Sequence, residues 1–243
     1  MGPLARYTSL KAIVLDLDDT LYPEREFVRS GYHAVEAKLH VDGVTDEPIA
    51  NWLWARALGG VFKDAYSAMD EHFQLGLSGE YLQELVACYR NHVPTISPFE
   101  GVREVLVALK RKYKLALLSD GVELTQSNKL GALDLPVDFD ATLFTLVRGK
   151  EFTKPSALGF EAIADELNVP HDACCYVGDN VSKDFIAPNA LGWLTIRLVM
   201  PGQIYEDRPV APEGSPQVEV HSWSTLGMLL GVGSDSDSDS VAG

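Results

Sequence analysis

The chain has 243 residues, of which 46% are hydrophobic and 23% are charged, and its formal net charge at pH 7 is −15. These values are typical of a globular protein with one large domain, or with one domain and a smaller insertion. The acidic excess disfavours binding to nucleic acid or to an anionic membrane surface, because both need clustered lysine and arginine.

Short apolar runs, taken in chain order, predict the strands of a parallel sheet. The first run is apolar on both faces, which is typical of a strand covered by helices on either side. The predicted strands, ending with an edge strand, are 11–16, 114–119, 141–146, 173–177, 193–198 and 217–220. Helical periodicity lies between them at 101–113, 124–133, 156–168 and 184–191. This alternation predicts an α/β fold with a doubly wound, Rossmann-like parallel sheet.

One interval, from Tyr22 to Pro98, is too long for a single crossover between parallel strands. It contains four helical patterns and no convincing strand, and the patterns span 26–39, 48–58, 61–73 and 79–91. We therefore predict three parts: a core of 1–22 and 98–230, an inserted all-helical domain of 23–97, and a disordered tail of 231–243. The tail ends in SDSDSDS, where like charges alternate with small polar residues.

Signals for secretion or membrane insertion are not evident in the sequence. The first residues lack the long apolar region of a signal peptide, and no stretch approaches the length of a transmembrane helix. Three cysteines, Cys88, Cys174 and Cys175, are too few for a disulfide framework, so we expect reduced, buried thiols. These features predict a cytoplasmic protein.

Polar residues follow four of the predicted strands, at the end where an open parallel sheet binds its ligands. Each of them alone is more often a turn residue or a solvated charge. Together they supply the carboxylates, the hydroxyl and the ammonium that a metal–phosphate site needs. In chain order they are Asp16, Asp18 and Thr20; Ser119 and Asp120; Lys154; and Asp179 with Asp184.

The first of these clusters crowds three carboxylates, Asp16, Asp18 and Asp19, into four positions. A hard divalent cation such as Mg²⁺ prefers oxygen ligands and offsets the repulsion between carboxylates. Asp16 and Asp179, from different strand ends, would provide two charged ligands for it. The hydroxyl and the ammonium after the second and third strands would then hold phosphoryl oxygens.

The same residues form four ordered motifs: Asp16-Leu17-Asp18-Asp19-Thr20, Leu117-Leu118-Ser119-Asp120-Gly121, Thr153-Lys154-Pro155, and 178–184 with the sequence GDNVSKD. With these motifs the chain resembles the haloacid dehalogenase (HAD) superfamily of phosphotransferases, from about Lys11 to Leu230. The complete set is specific, whereas any single motif is weak. The helical insertion lies where this family places its small helical (type C1) cap.

The resemblance implies a phosphatase that works through an aspartyl-phosphate. Asp16 would be the nucleophile. Asp18 would protonate the leaving oxygen and later take a proton from the hydrolytic water, and its backbone carbonyl would face the Mg²⁺ ion.

For the remaining residues the resemblance implies supporting roles. Ser119, Asp120 and Lys154 would bind the phosphate, and Asp179 would complete the protein's ligands to Mg²⁺. Asp184 would orient Lys154 or a metal-bound water, and Thr20 would steady the first loop. Asp19 matches no catalytic role and is interpreted as a turn or solvated residue.

Three alternatives remain open at this point. In the dehalogenase branch of the family the position of Asp18 is not an acid, because halide needs no proton to leave, so Asp18 favours phosphoryl chemistry. A phosphomutase would share both aspartates. A non-enzymatic binding module on this fold would have no need for Asp18.

The expected substrate is a small phosphorylated metabolite, such as a sugar phosphate or a nucleoside monophosphate. A helical insertion of this size would cover a small substrate and exclude a phosphorylated loop of a folded protein. Arg25 and Arg29 follow the first loop closely and are candidates for substrate contact. No nucleic-acid or membrane partner is expected.

Overall fold

A computed structural model of the chain describes residues 9–204 and 212–232. Within these residues six parallel strands form one sheet in the order β3-β2-β1-β4-β5-β6. The strands are β1 (Ala12–Leu15), β2 (Lys114–Ser119), β3 (Ala141–Phe144), β4 (Cys174–Gly178), β5 (Leu194–Leu198) and β6 (Val218–Val220). The predicted α/β fold with a doubly wound parallel sheet is confirmed.

The helices of the described residues follow the strands in the expected alternation, apart from the long interval after β1. They are α1 (Glu24–Val41), α2 (Ile49–Leu58), α3 (Ala65–Phe73), α4 (Gly79–Asn91), α5 (Val102–Lys110), α6 (Glu123–Leu133), α7 (Ala157–Leu167), α8 (Ile186–Ala190) and α9 (Trp223–Leu229). None of them is both long enough and apolar enough to span a membrane.

Strand β1 lies at the centre of the sheet, between β2 and β4. Val14 of β1 is in register with Ala116 on one side and with Tyr176 on the other. All four residues of β1 are fully buried, as the apolar run predicted. The chain turns back across the sheet between β3 and β4, so the gap between β1 and β4 is the switch point at which such sheets bind ligands.

The sheet and its covering helices form the first of two compact units, whose described residues are 9–23, 98–123, 134–204 and 212–232. On one face of the sheet, Val14 and Leu118 pack with Phe160 of α7 and with Trp193. Helix α5 contacts β2, and α9 packs against α5. This burial of apolar side chains from both sides of the sheet provides the main stabilisation of the unit.

The second unit consists of residues 24–97 together with 124–133. Its long helix α1 packs against α2 and α4, and the ring of Phe27 meets that of Tyr89 edge-on at 5.4 Å. Helix α6, which the sequence placed in the core, groups with these helices. The predicted division into 1–22 with 98–230, 23–97 and 231–243 stays a prediction, and residues 233–243 of the tail lie outside the described residues.

Three elements differ from the sequence prediction. Strand β3 ends at Phe144 and continues as a 3₁₀ turn at Thr145–Val147. Helix α3 begins at Ala65 rather than at 61, after an exposed stretch that follows two glycines. Helix α9 was not predicted at all, although Ser222 caps it by accepting a hydrogen bond from the Thr225 backbone N–H.

The cysteines are free thiols, as expected. Cys174 and Cys175 are fully buried in β4, and because side chains alternate along a strand they point to opposite faces of the sheet. Cys88 in α4 is only half-buried.

Candidate active site

The carboxyl ends of β1 and β4 bring two carboxylates together at the switch point of the sheet. Asp16 directly follows β1, and its backbone N–H donates to Val177 O at 2.9 Å, which extends the pairing of the two strands. Asp179 directly follows β4. Both side chains are buried, with 4% and 5% exposure respectively.

The loop after β1 is held by contacts with its own residues and with α9. The hydroxyl of Tyr22 donates a hydrogen bond to Oδ1 of Asp18, whose side chain is half-buried. Trp223 Nε1 donates to the backbone oxygen of Thr20 at 3.1 Å. The hydroxyl oxygen of Thr20 is buried and has no hydrogen-bond partner among the described residues. Thr20 is therefore held through its backbone oxygen, by the hydrogen bond from Trp223.

Asp19 is a turn residue, as predicted, but the alternative that it is solvated is wrong. Its φ of 51° lies in the left-handed region, and its side chain is 1% exposed. The carboxylate accepts a hydrogen bond from Ile204 N at 2.7 Å, and the backbone oxygen accepts one from Gln203 Nε2 at 2.7 Å. Asp19 therefore ties the loop after β1 to the segment that follows β5.

Lys154 extends a fully buried ammonium between two carboxylates. Its Nζ lies 3.0 Å from Asp16 Oδ1 and 2.8 Å from Asp184 Oδ1. Burial lowers the pKa of Lys154, but Asp16 and Asp184 outweigh burial, and the net effect raises the pKa well above its ordinary value. The lysine is therefore a permanent cation beside Asp16.

The loop after β4 places Asp184 by folding back on itself. Asp184 Oδ2 accepts a hydrogen bond from the Asn180 backbone N–H at 2.9 Å, while Asp184 N donates to Asn180 O, also at 2.9 Å. Gly178 leaves room for this carboxylate, since a Cβ at Gly178 would lie 2.6 Å from Asp184 Oδ2.

Asp120 organises the residues around the ends of β2 and β3. Its Oδ1 accepts hydrogen bonds from Thr145 Oγ1 at 2.9 Å and from the Lys154 backbone N–H at 3.1 Å, and its Oδ2 pairs with Lys183 Nζ at 3.1 Å. Burial opposes ionisation, but the ammonium groups of Lys154 and Lys183 prevail and lower the pKa of Asp120. Ser119, at the end of β2, is buried with 1% exposure.

Three carboxylates form a compact buried cluster at this edge of the sheet. One oxygen each from Asp16, Asp179 and Asp184 lies within 4.8 Å of the others. Burial, followed by the charges of Asp184 and Asp16, raises the pKa of Asp179 well above its ordinary value. Burial likewise raises the pKa of Asp16 to about 6, although Lys154 pulls in the opposite direction. The cluster is thus under electrostatic strain that a cation would relieve.

The donor set fits Mg²⁺. All three members are carboxylates, the hard oxygen ligands that this ion prefers, and Lys154 pairs with Asp16 and Asp184 but not with Asp179. The side chain of Asp18 lies outside this cluster, so any contribution from Asp18 to the metal would be through its backbone carbonyl. Asp184 lies close enough to the other two carboxylates to serve either as a ligand or as the group that orients Lys154.

With this geometry established, the family of the chain can be stated. Residues 10–192 match the haloacid dehalogenase-like hydrolase family. The chain belongs to this family. The predictions of a HAD-superfamily member and of an enzyme of the hydrolase class are confirmed.

Two curated relatives, both from archaea, are named glyceraldehyde 3-phosphate phosphatase. The chain is 28% identical to the glyceraldehyde 3-phosphate phosphatase of Methanocaldococcus jannaschii over 206 residues, which cover 78% of this chain and 85% of that protein. It is 27% identical to the glyceraldehyde 3-phosphate phosphatase of Methanopyrus kandleri over 221 residues, covering 87% of this chain and 93% of that protein.

Solved structures of the same fold include hydrolases and dehalogenases. A HAD-hydrolase of Bacillus subtilis, YfnB, whose crystal structure has magnesium bound, superposes with a TM-score of 0.66 at 17% identity and covers 93% of this chain and 100% of that one. The L-2-haloacid dehalogenase of Xanthobacter autotrophicus gives a TM-score of 0.56 at 21% identity, covering 91% and 98%. At these identities the likeness shows the shared fold.

Three residues of this site escaped the sequence analysis: Tyr22 beside Asp18, Tyr176 beside Lys154, and Lys183 beside Asp120. Lys183 stands inside the fourth motif and could have been found there. Nothing in the sequence indicated that the two tyrosines belong to the site, because the pattern around both indicates apolar core positions. Neither Arg25 nor Arg29 has a tested role, and both stay predictions.

Proposed function

We propose that this chain is a Mg²⁺-dependent phosphomonoester hydrolase that acts on a small phosphorylated metabolite, a sugar phosphate, through an aspartyl-phosphate intermediate. The observation that carries the proposal is the environment of Asp16. Its buried carboxylate lies 3.0 Å from the Lys154 ammonium and shares a three-carboxylate cluster with Asp179 and Asp184. A buried carboxylate, a fixed cation and a set of oxygen ligands are thus close together at one edge of the sheet.

The chemistry divides between Asp16 and Asp18. A carboxylate oxygen of Asp16 attacks phosphorus, the bond from phosphorus to the ester oxygen breaks, and Asp18 gives its proton to that oxygen. Water then attacks the phosphorus of the aspartyl-phosphate while Asp18 takes its proton, and phosphate leaves with Asp16 restored. Tyr22 orients Asp18 for both steps through its hydrogen bond to Oδ1.

The rest of the cluster balances charge. Asp16, Asp179 and Asp184 would hold Mg²⁺, which when bound supplies positive charge against the phosphoryl oxygens. Lys154 adds a second, permanent positive charge at Asp16. Ser119 and the backbone beside Asp120 complete the proposed phosphate site.

Among small metabolites, a three-carbon sugar phosphate is the first candidate. The support is the name that the two archaeal relatives share, and no observation favours a nucleoside monophosphate over it. Dehalogenation is disfavoured, although dehalogenases share the fold, because Asp18 is present, and halide needs no proton donor in order to leave.

A phosphate-release screen tests the proposal. The purified chain would be incubated with Mg²⁺ and a panel of glyceraldehyde 3-phosphate, other sugar phosphates, nucleoside monophosphates and a 2-haloacid, with Asp16→Asn as the matched blank. We expect phosphate release from sugar phosphates, loss of activity in EDTA, and no halide. Halide release without phosphate, or equal phosphate release by Asp16→Asn, would refute the proposal.

A further inference from the structure

The ammonium of Lys154 contacts a third group besides the two carboxylates, the hydroxyl of Tyr176. Lys154 Nζ donates a hydrogen bond to Tyr176 Oη at 2.8 Å, and the contact is buried. The contact with Asp184 is of another kind, because Asp184 Oδ1 lies 2.8 Å away but has no hydrogen-bond partner among the described residues. The charge of Asp184 attracts the ammonium, whereas the hydroxyl of Tyr176 aligns one of its N–H bonds.

Strand pairing and side-chain packing hold Tyr176 in place beside Lys154. It lies in the middle of β4, in register with Val14 of β1 and with Thr195 of β5. Its ring is fully buried and meets the ring of Phe160 edge-on at 5.0 Å and that of Phe185 at 6.5 Å. Strand pairing on both sides and ring packing fix the hydroxyl oxygen relative to the carboxyl ends of the strands.

The hydroxyl of Tyr176 is uncharged, which suits its position beside the Lys154 ammonium. Burial raises the pKa of Tyr176 well above its ordinary value, so the group is a neutral acceptor beside Lys154. A third carboxylate in this place would add repulsion to a cluster that already holds Asp16 and Asp184. A neutral acceptor orients the ammonium without adding negative charge.

Orientation matters for Lys154 because its side chain has four rotatable bonds. A lysine held only by charge keeps much of its conformational freedom, and ordering it costs side-chain entropy. A tetrahedral ammonium with one N–H aligned on Tyr176 has its other two N–H directions restricted. With Asp184 Oδ1 at 2.8 Å and Asp16 Oδ1 at 3.0 Å from Nζ, one of these two remains for the oxygens on the Asp16 side.

We propose that Tyr176 is a positioning residue for phosphoryl transfer: its hydroxyl holds the Lys154 ammonium in the orientation that presents an N–H group to the phosphoryl group on Asp16. This inference rests on the proposed function. It adds a residue that touches neither substrate nor metal and acts through Lys154.

The test compares two variants within the same core. Tyr176→Phe removes the hydroxyl and keeps the ring, whereas Ile163→Val removes a methyl group from the same buried core cluster and leaves Tyr176, Phe160 and Phe185 unchanged. With Mg²⁺ present, we expect kcat of Tyr176→Phe to fall about tenfold with KM nearly unchanged. The fall should be equal for p-nitrophenyl phosphate and for a sugar phosphate, because Lys154 faces the transferred group and not the leaving oxygen. Ile163→Val should lower the melting temperature and keep kcat.

The other possible outcomes of this test either overturn the inference or support it. Wild-type kcat in Tyr176→Phe, or an equal loss of kcat in Ile163→Val, overturns it while the proposed function stands. A wild-type enzyme that releases no phosphate from any substrate overturns the proposed function and this inference with it. If Tyr176→Phe does not fold alone, trimethylamine N-oxide is added to both proteins to favour the folded state, and kcat is compared under the same conditions. A tenfold lower kcat of the variant supports the inference, and an equal kcat overturns it.

Discussion

Lys154 Nζ lies 3.0 Å from Asp16 Oδ1, and both side chains are buried at the carboxyl end of the sheet. Because the ammonium engages one oxygen of the carboxylate, the two oxygens of Asp16 are not equivalent. In the proposed mechanism the other oxygen, Oδ2, would attack phosphorus. This asymmetry makes Asp16 the residue on which the proposed chemistry depends.

Replacing Asp16 by asparagine should abolish turnover. The amide has nearly the same shape but is not a nucleophile, so kcat should fall by more than about 10³-fold. Steady-state phosphate release measures the loss, and acid quenching followed by mass spectrometry should detect the aspartyl-phosphate in the wild type alone. Phosphate found on another residue of the wild type would contradict the assignment.

Replacing Asp18 by asparagine should remove the proton donor. General acid–base catalysis contributes about 10²–10⁴-fold, and the contribution grows as the leaving group becomes a poorer one. We therefore expect a larger loss of kcat with a sugar phosphate than with p-nitrophenyl phosphate. Tyr22→Phe, which removes the hydroxyl that donates to Asp18 Oδ1, should show the same trend at smaller amplitude. Equal losses for both substrates would argue against the acid role of Asp18.

Replacing Asp179 by asparagine should stabilise the metal-free protein and abolish its response to Mg²⁺. Burial and the charges of Asp184 and Asp16 disfavour the ionised form of Asp179, so a neutral amide relieves repulsion in the absence of metal. Thermal melts in EDTA and in excess Mg²⁺ measure both effects. The wild type should melt higher with Mg²⁺, and Asp179→Asn should melt at one temperature in both buffers. A Mg²⁺ response preserved in the variant would exclude Asp179 as a ligand.

Stability of the metal-free protein should depend on pH through Asp16. Burial raises the pKa of Asp16 from 3.8 to about 6. The folded state therefore binds the proton more tightly than the unfolded state, and this contribution to stability is complete below pH 3.8 and lost as pH rises through 6. The difference of about 2 between the pKa values corresponds to about 3 kcal/mol.

Urea denaturation in EDTA measures this dependence. The free energy of unfolding of the wild type, relative to that of Asp16→Asn, should decline between pH 4 and pH 7 and then level off. Asp16→Asn is the matched control because it keeps the shape of the side chain without its titration. A relative stability that rises over this interval would have the wrong sign for a raised pKa.

A methyl group added at Gly178 should disturb the site. The Cβ would lie 2.6 Å from Asp184 Oδ2 and 3.0 Å from Tyr176 Cε1, so Asp184 must shift and its contact with Lys154 must change. We expect Gly178→Ala to lose about 1–3 kcal/mol of stability and to lower kcat.

The control for this variant is Gly131→Ala in α6. A Cβ at Gly131 meets nothing within 4 Å, and alanine in place of a helical glycine should add about 0.5–1 kcal/mol of stability. Differential scanning fluorimetry and kcat measure both variants. Full activity in Gly178→Ala would show that the position of Asp184 is less constrained than the geometry indicates.

The sequence predicted the sheet well because its strands are buried on both faces. Continuous apolar runs such as Ala12–Leu15 and 174–177 have one plausible place in a globular protein. Helix α9 was missed since its apolar stripe is short and its cap, Ser222, resembles an ordinary turn residue. Helix α6 was predicted as a helix, but its grouping with 24–97 depends on contacts between residues far apart in the chain.

The sequence by itself determined the fold class, the family motifs and the choice of Asp16, Asp18, Lys154 and Asp179, because these follow from local composition and from residues placed directly after strands. Only the tertiary structure decided how those residues are supported. Tyr176 and Tyr22 looked like core residues, and Asp19 looked like a solvated turn, until the fold brought their partners to them. The reason is physical: hydrogen bonds and pKa shifts arise from atoms within a few ångströms in space, and the spacing of residues along the chain does not report those distances.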